Sequence, residues 1–257
     1  MKNMFDLTGK VAVVTGASSG LGADAARAYA EFGAGVAILA RRKEKLDALV
    51  EELKGKNCKV LAVKCDVIDE VSVRNAVEEV INFFGKIDIL LNNAGLAKTG
   101  LVEELDMETW DAVVDTNLKG PFLMCKYVMP HMRKQKYGKI INISSINAVV
   151  ADKYLPVTRP AYNASKAGVH GLTIGIAATC MTDNITVNTI GPGLFDTEMT
   201  EDLVLVEPWM ETYIKMTPAE RGGARNELNG TVIYLSSDAS SYVTGQVIYV
   251  DGGNTIT

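Results

Sequence analysis

The sequence predicts an α/β protein: one doubly wound parallel sheet, covered by helices on both faces, in a single domain. Three observations carry that expectation. A β-branched run, Lys10 to Thr15, enters a glycine-rich turn that opens an alanine-rich helix. Short apolar runs then alternate with helical stretches of ordinary length to the end of the chain, the βαβ rhythm of parallel sheets. The chain has 257 residues, of which 47% are hydrophobic and 22% charged. No linker, repeat or low-complexity tract divides it, so 1–257 reads as one packed domain.

The first strand leads into Gly16-Ala17-Ser18-Ser19-Gly20-Leu21-Gly22, and the helix from about Leu21 to Phe32 ends at Gly33. Glycines permit a tight turn and a close backbone approach to a pyrophosphate, and the helix N-terminus adds N–H groups and a positive dipole. Gly35 to Ala40 forms the second strand, followed at once by Arg41 and Arg42. An acidic residue here would hold a ribose 2′-hydroxyl, whereas an arginine accommodates a 2′-phosphate. Ala40 carries no carboxylate, so NADP(H) is preferred and NAD(H) remains possible. The two arginines equally suit the start of a solvated helix.

Val60 to Val63 is the third strand, leading to Asp66 and Val67. Asp66 stands at a strand's carboxyl end, where ligands bind in open α/β sheets; it could accept from an adenine amine or cap the next helix. Ile87 to Leu91 is the fourth strand, and its small polar turn Asn92-Asn93-Ala94-Gly95 fits close backbone approach to a cofactor. A long helix is expected from Trp110 to Tyr127, interrupted near Gly120-Pro121, with Asn117 just before the break to hold a displaced carbonyl or a water. Lys139 to Ile143 is the fifth strand, ending in Ser144-Ser145; Thr186 to Ile190 is the sixth, ending in Gly191-Pro192-Gly193; Val247 to Val250 is the seventh.

The composition excludes several function classes. A net charge of −5 leaves no basic footprint for nucleic acid. The local run His131 to Lys139 reads as a solvated helix end. No apolar stretch reaches the roughly 20 residues that span a bilayer, and MKNMFDLTGK lacks the apolar core of a signal peptide. Cys58, Cys65, Cys125 and Cys180 show no CxxC spacing. These features predict a cytoplasmic protein without disulfides or metal.

Tyr162 and Lys166 are separated by one helical turn on one face. A neighbouring ammonium favours the phenolate and lowers a phenol's pKa, so that Tyr162 can trade a proton with a substrate oxygen. Taken alone, the pair is equally an ordinary surface contact on a helix running to about Thr182.

TGASSGLG, NNAG, Asn117, Ser145, YNASK and IGPG stand in the order and approximate spacing of the short-chain dehydrogenase/reductase family, and the resemblance extends to VTGQVIYVDGG near the C-terminus. It implies a seven-stranded Rossmann-type sheet, hydride transfer to or from nicotinamide, and a homotetramer or homodimer. By resemblance, Tyr162 is the acid/base and Lys166 lowers its pKa and binds the nicotinamide ribose. Ser145 positions the substrate oxygen, with Ser144 structural, and Asn117 holds a water leading from Lys166 to solvent. Pro192, Gly193, Phe195 and Thr197 resemble the nicotinamide side of the cofactor site, Thr197 holding the carboxamide. Two departures stand out. The stretch from Ser145 to Tyr162 is longer than in most members, and neither Ala17 nor Ser18 is basic.

The segment at about 195–220 resembles the family's substrate cover. Leu203, Val206, Met210, Tyr213 and Ile214 recur at helical spacing beside Trp209, so they either pack on the body or wall the pocket. With Tyr154, Leu155 and Val157, a wall of this kind favours a bulky apolar ketone. An acyl-carrier substrate needs basic residues where Asp183 is expected, and a sugar acid would find Lys153 and Arg159. The three substrate classes stay open, as does a dinucleotide-sensing regulator that has lost its chemistry.

Overall fold

The computed structural model describes residues 3–56, 58–153, 158–198, 200 and 207–257. Its sheet has seven strands: β1 (Val11–Thr15), β2 (Gly35–Ala40), β3 (Val60–Lys64), β4 (Ile89–Asn92), β5 (Gly138–Ile143), β6 (Ile185–Pro192) and β7 (Val247–Val250). Their order is β3-β2-β1-β4-β5-β6-β7, and each adjacent pair is parallel. The expected α/β class and seven-stranded Rossmann-type sheet are therefore present.

Successive strand residues feed opposite layers, because side chains in a strand alternate between faces. Ala12, Val14, Ile38, Ile89 and Ile141 pack against α1 (Gly20–Glu31), α2 (Lys43–Lys54) and α8 (Asn229–Ser236). Val13, Leu39, Leu90 and Ile140 pack against α3 (Glu70–Phe84) and α5 (Gly120–Gln135). Burial on both faces explains why these strands are near-continuous apolar runs in the sequence. Asp69, not Asp66, caps α3, accepting from the Val71 and Ser72 N–H groups. Asp66 is thereby left to the cleft.

The expected Trp110–Tyr127 helix is different in detail. α4 (Met107–Val114) begins earlier, capped by Asp106. A five-residue π segment, Asp115–Lys119, then joins it to α5. Pro121 sits in the first turn of α5, but the residues before it are themselves helical, so its missing N–H removes a bond to the preceding turn and its ring crowds the Asn117 carbonyl. The irregularity thus precedes Pro121 and centres on Asn117. α6 (Pro160–Ala177) starts on Pro160 and places Tyr162 in its first turn; it stops at Ala177, short of the expected Thr182.

The run expected to be a solvated helix end divides. Arg133 and Lys134 close α5, but Lys139 lies in β5, 2% exposed. Asp183 is also displaced from expectation. It immediately precedes β6, at the amino edge of the sheet and so opposite the cleft, where Arg133 and Lys136 pair with it. It says nothing about a pocket entrance. All four cysteines are free. Among the described residues no helix is long and apolar enough to cross a membrane, and no group of His, Cys, Asp and Glu could hold a metal ion.

Candidate active site

Strand order reverses between β1 and β4, and ligands of open α/β sheets bind outside the carboxyl ends of strands at such a switch point. A cleft of about 380 Å³ lies there. Gly16, Ser18, Ser19, Gly20 and Leu21 line it after β1, Arg41 and Arg42 after β2, and Asp66 and Val67 after β3. Asn93, Ala94 and Gly95 follow β4; Ser145, Tyr162 and Lys166 form the far end; Pro192, Gly193, Phe195 and Thr197 close the side beyond β6. Of the expected site residues, Gly22 and Asn117 are absent from the wall. Both act from behind it.

The turn after β1 is built by close packing. At Gly16, with φ +65°, a Cβ would lie 2.7 Å from the Ala94 Cα; at Gly22 it would meet the Asn93 Nδ2 at 2.3 Å. Gly22 therefore serves the contact between two turns rather than a ligand. Thr15 Oγ1 accepts from the N–H groups of Asn93 and Ala94 at 3.0 and 3.1 Å, tying the same turns together. Ser19, at the N-cap of α1, makes no side-chain cap, and the first turn of α1 has no acidic residue. Uncapped N–H groups and positive dipole thus face the cleft, beside Arg42, which donates to the hydroxyls of Ser18 and Ser19. This donor set fits a pyrophosphate and an adjoining phosphate.

At the far end, Tyr162 is 7% exposed. Burial raises its pKa, opposed by the Arg159 charge and by the neighbouring Ser145 hydroxyl. The Lys166 ammonium lies 5.5 Å from the ring centroid. It donates to the Ile143 carbonyl at 2.9 Å, and burial pushes its own pKa down to about 8. Burial is the largest influence on the phenol, and the Arg159 charge opposes it. Ser144 donates to the Lys166 carbonyl at 2.8 Å, a structural contact, as expected.

Asn117 is 1% exposed. Its Oδ1 accepts from the Leu96 N–H, and its Nδ2 donates to the Leu96 carbonyl, each at 2.8 Å. The same Nδ2 reaches the Ser165 Oγ at 3.0 Å. The side chain imitates a strand partner for the loop after β4.

Sequence reasoning missed Thr116, Glu198 and Thr200, which also line the cleft. Glu198 follows Thr197 directly, and its carboxylate was the available signal: it pairs with Arg42 at 2.9 Å and with Lys45. Both contacts hold its pKa down to about 2. The apolar stripe of the cover resolves inward. In α7 (Glu207–Met216), Trp209 and Tyr213 pack on Ile146 and Leu194, and no described residue of α7 lines the cleft. Leu203 and Val206, like Tyr154, Leu155 and Val157, lie outside the described residues.

A Rossmann-type sheet with an anion-ready turn at one end of its cleft and a tyrosine, lysine and serine at the other defines a dinucleotide-dependent oxidoreductase. The family model described as enoyl-(acyl carrier protein) reductase matches residues 16–255. The 3-oxoacyl-[acyl-carrier-protein] reductase FabG of Thermotoga maritima is 41% identical over 250 residues, spanning 97% of this chain and 99% of that protein. A short-chain type dehydrogenase/reductase from Mycobacterium marinum superposes with a TM-score of 0.94 at 36% identity, over 99% of this chain and 98% of that one. The structure of a gluconate 5-dehydrogenase from Burkholderia cenocepacia in complex with NADP and tartrate also has a TM-score of 0.94, at 36% identity and with 99% and 98% covered. The chain belongs to the short-chain dehydrogenase/reductase family and is an oxidoreductase.

Proposed function

We propose that the protein interconverts a ketone and a secondary alcohol with NADP(H), using Tyr162 as acid/base. The observation that carries this reading is convergence: Ser145, Tyr162 and Lys166 line one cleft, Lys166 5.5 Å from the Tyr162 ring centroid, and they share that cleft with the uncapped start of α1. The nicotinamide, when bound, supplies the hydride in reduction and accepts it in oxidation. Tyr162 gives the ketone oxygen its proton, or takes one from the alcohol. Ser145 donates to the oxygen as charge develops there. Lys166, held by the Ile143 carbonyl, presents its ammonium to the ribose side of the cleft. Asn117 keeps the loop after β4 at the distance the cofactor needs.

Arg41, Arg42 and Ser18 support NADP(H) over NAD(H), consistent with the NADP complex of the related gluconate 5-dehydrogenase. Trp209 and Tyr213, packed inward on Ile146 and Leu194, give no support to a bulky apolar substrate. The test is NADPH and NADH consumption by purified protein across a ketone panel: a 3-oxoacyl thioester, 5-ketogluconate, oxo-steroids and aromatic ketones, with Tyr162→Phe as blank. NADPH-dependent turnover that Tyr162→Phe abolishes is expected. NADPH binding with no turnover on any carbonyl would point instead to a sensor.

A further inference from the structure

Arg159 is 9% exposed and stands at the N-cap of α6, the positive end of a helix dipole, where a cation is disfavoured. Its guanidinium carbon lies 5.4 Å from the Tyr162 ring centroid, and its Nε is buried without a partner. Buried cations persist when paired, and Asp152 provides the pair: its Oδ2 accepts from Arg159 Nη2 at 2.9 Å. The same Oδ2 accepts from Asn147 Nδ2 at 3.2 Å, and Asn147 Oδ1 in turn accepts from Ser145 at 3.3 Å. Trp209 of α7 donates to Asp152 Oδ1 at 3.0 Å. The contacts form a chain from Tyr162 through Arg159, Asp152 and Asn147 to Ser145, which lines the same cleft as Tyr162. The remaining surround of the phenol is apolar, with Leu96, Ala97, Leu105, Trp110 and Val113. The second cation beside it is Lys166.

We infer that Arg159 and Asp152 are positioning residues that together set the charge felt by the Tyr162 phenol: Arg159 supplies a cation and Asp152 partly cancels it. The inference rests on Tyr162 as acid/base. It makes opposite demands on the two residues. Removing the Arg159 charge disfavours the phenolate, whereas removing the Asp152 charge favours it. A chain of contacts with a merely structural role gives no such opposition.

The test is an alkaline titration of tyrosinate absorbance with NADP+ present, each protein measured against its own Tyr162→Phe derivative so that the other tyrosines cancel. Arg159→Met should move the Tyr162 midpoint up by about one unit. Arg159→Lys should restore most of that shift, and Asp152→Asn should move the midpoint down. Unmoved midpoints, or shifts in the same direction for Arg159→Met and Asp152→Asn, overturn the inference. Should Arg159→Met not fold, the direction of the Asp152→Asn shift decides alone. The readout needs no substrate. Opposed shifts in a protein that reduces no ketone would remove the proposed reaction and leave the charge pair standing.

Discussion

Glu198 and Arg42 face each other across the mouth of the cleft, carboxylate to guanidinium at 2.9 Å. Arg42 is one of the two arginines, with Arg41, expected at a cofactor's 2′-phosphate, so a carboxylate and a phosphate compete for its fork. Arg42→Ala should weaken NADPH by about tenfold or more and leave NADH little changed. Glu198→Gln should tighten NADPH by about two- to fivefold, since exposed pairs are weak, and the gain should fade with salt. Fluorescence titration of both cofactors checks this; equal effects on NADPH and NADH would deny Arg42 the phosphate.

Tyr162→Phe removes one oxygen from a buried ring. It should keep NADPH affinity and lower turnover by about a hundredfold or more. Near-normal steady-state rates would sink the acid/base assignment.

Asn117→Ala strips the Leu96 N–H and carbonyl of their partners. Unpaired buried polar groups cost about 1–3 kcal/mol each, so a loss of about 2 kcal/mol or more in urea unfolding is expected. NADPH affinity should fall with it, because the loop after β4 lines the cofactor cleft. A variant as stable as the parent would show that the clamp is dispensable.

Lys139, buried in β5, has its pKa pushed down to about 8, chiefly by burial, with Asp238 opposing and Lys10 assisting. The unfolded lysine titrates near 10.4. Below about pH 8 both states are charged and the burial penalty is fully present. Between the two values the unfolded state holds more protons, so stability rises with pH. Lys139→Met should therefore gain most over the parent near pH 7 and lose that advantage by about pH 10. Urea midpoints at the two pH values measure the change, and a constant difference would reject the shift.

The fold and most of the cleft wall were legible because they rest on local signals. Val11 to Thr15 and Gly16 to Gly22 form a strand–turn–helix unit whose chemistry does not depend on the rest of the chain. The same holds for the residues just after each strand, which parallel pairing gathers at one edge. Asp183 was not legible because its place depends on the sheet: a residue just before β6 lies at the edge opposite the cleft. The contacts that cross the chain were not legible. Glu198 meets Arg42 over a separation no spacing rule covers, and Trp209 meets Asp152 through the fold of a loop. The influence of Arg159 on Tyr162 emerged only with the burial of both. The π segment's width was hidden because Asp115 to Lys119 has the composition of an ordinary helix, although Pro121, which cannot donate to the Asn117 carbonyl, marked the place of the interruption.

That segment also fixes a phase relation. Each residue of an α-helix turns the next by about 100°, so a π bulge offsets the faces of α4 and α5 by about one residue. α4 can then turn Val113 towards Tyr162 while α5 turns Leu123, Met124 and Val128 towards the sheet. Deleting one residue between 115 and 119 would let the two helices run on as a regular rod. It would force a choice between seating the catalytic wall and seating the core, so the two surfaces hold their alignment through a single surplus residue.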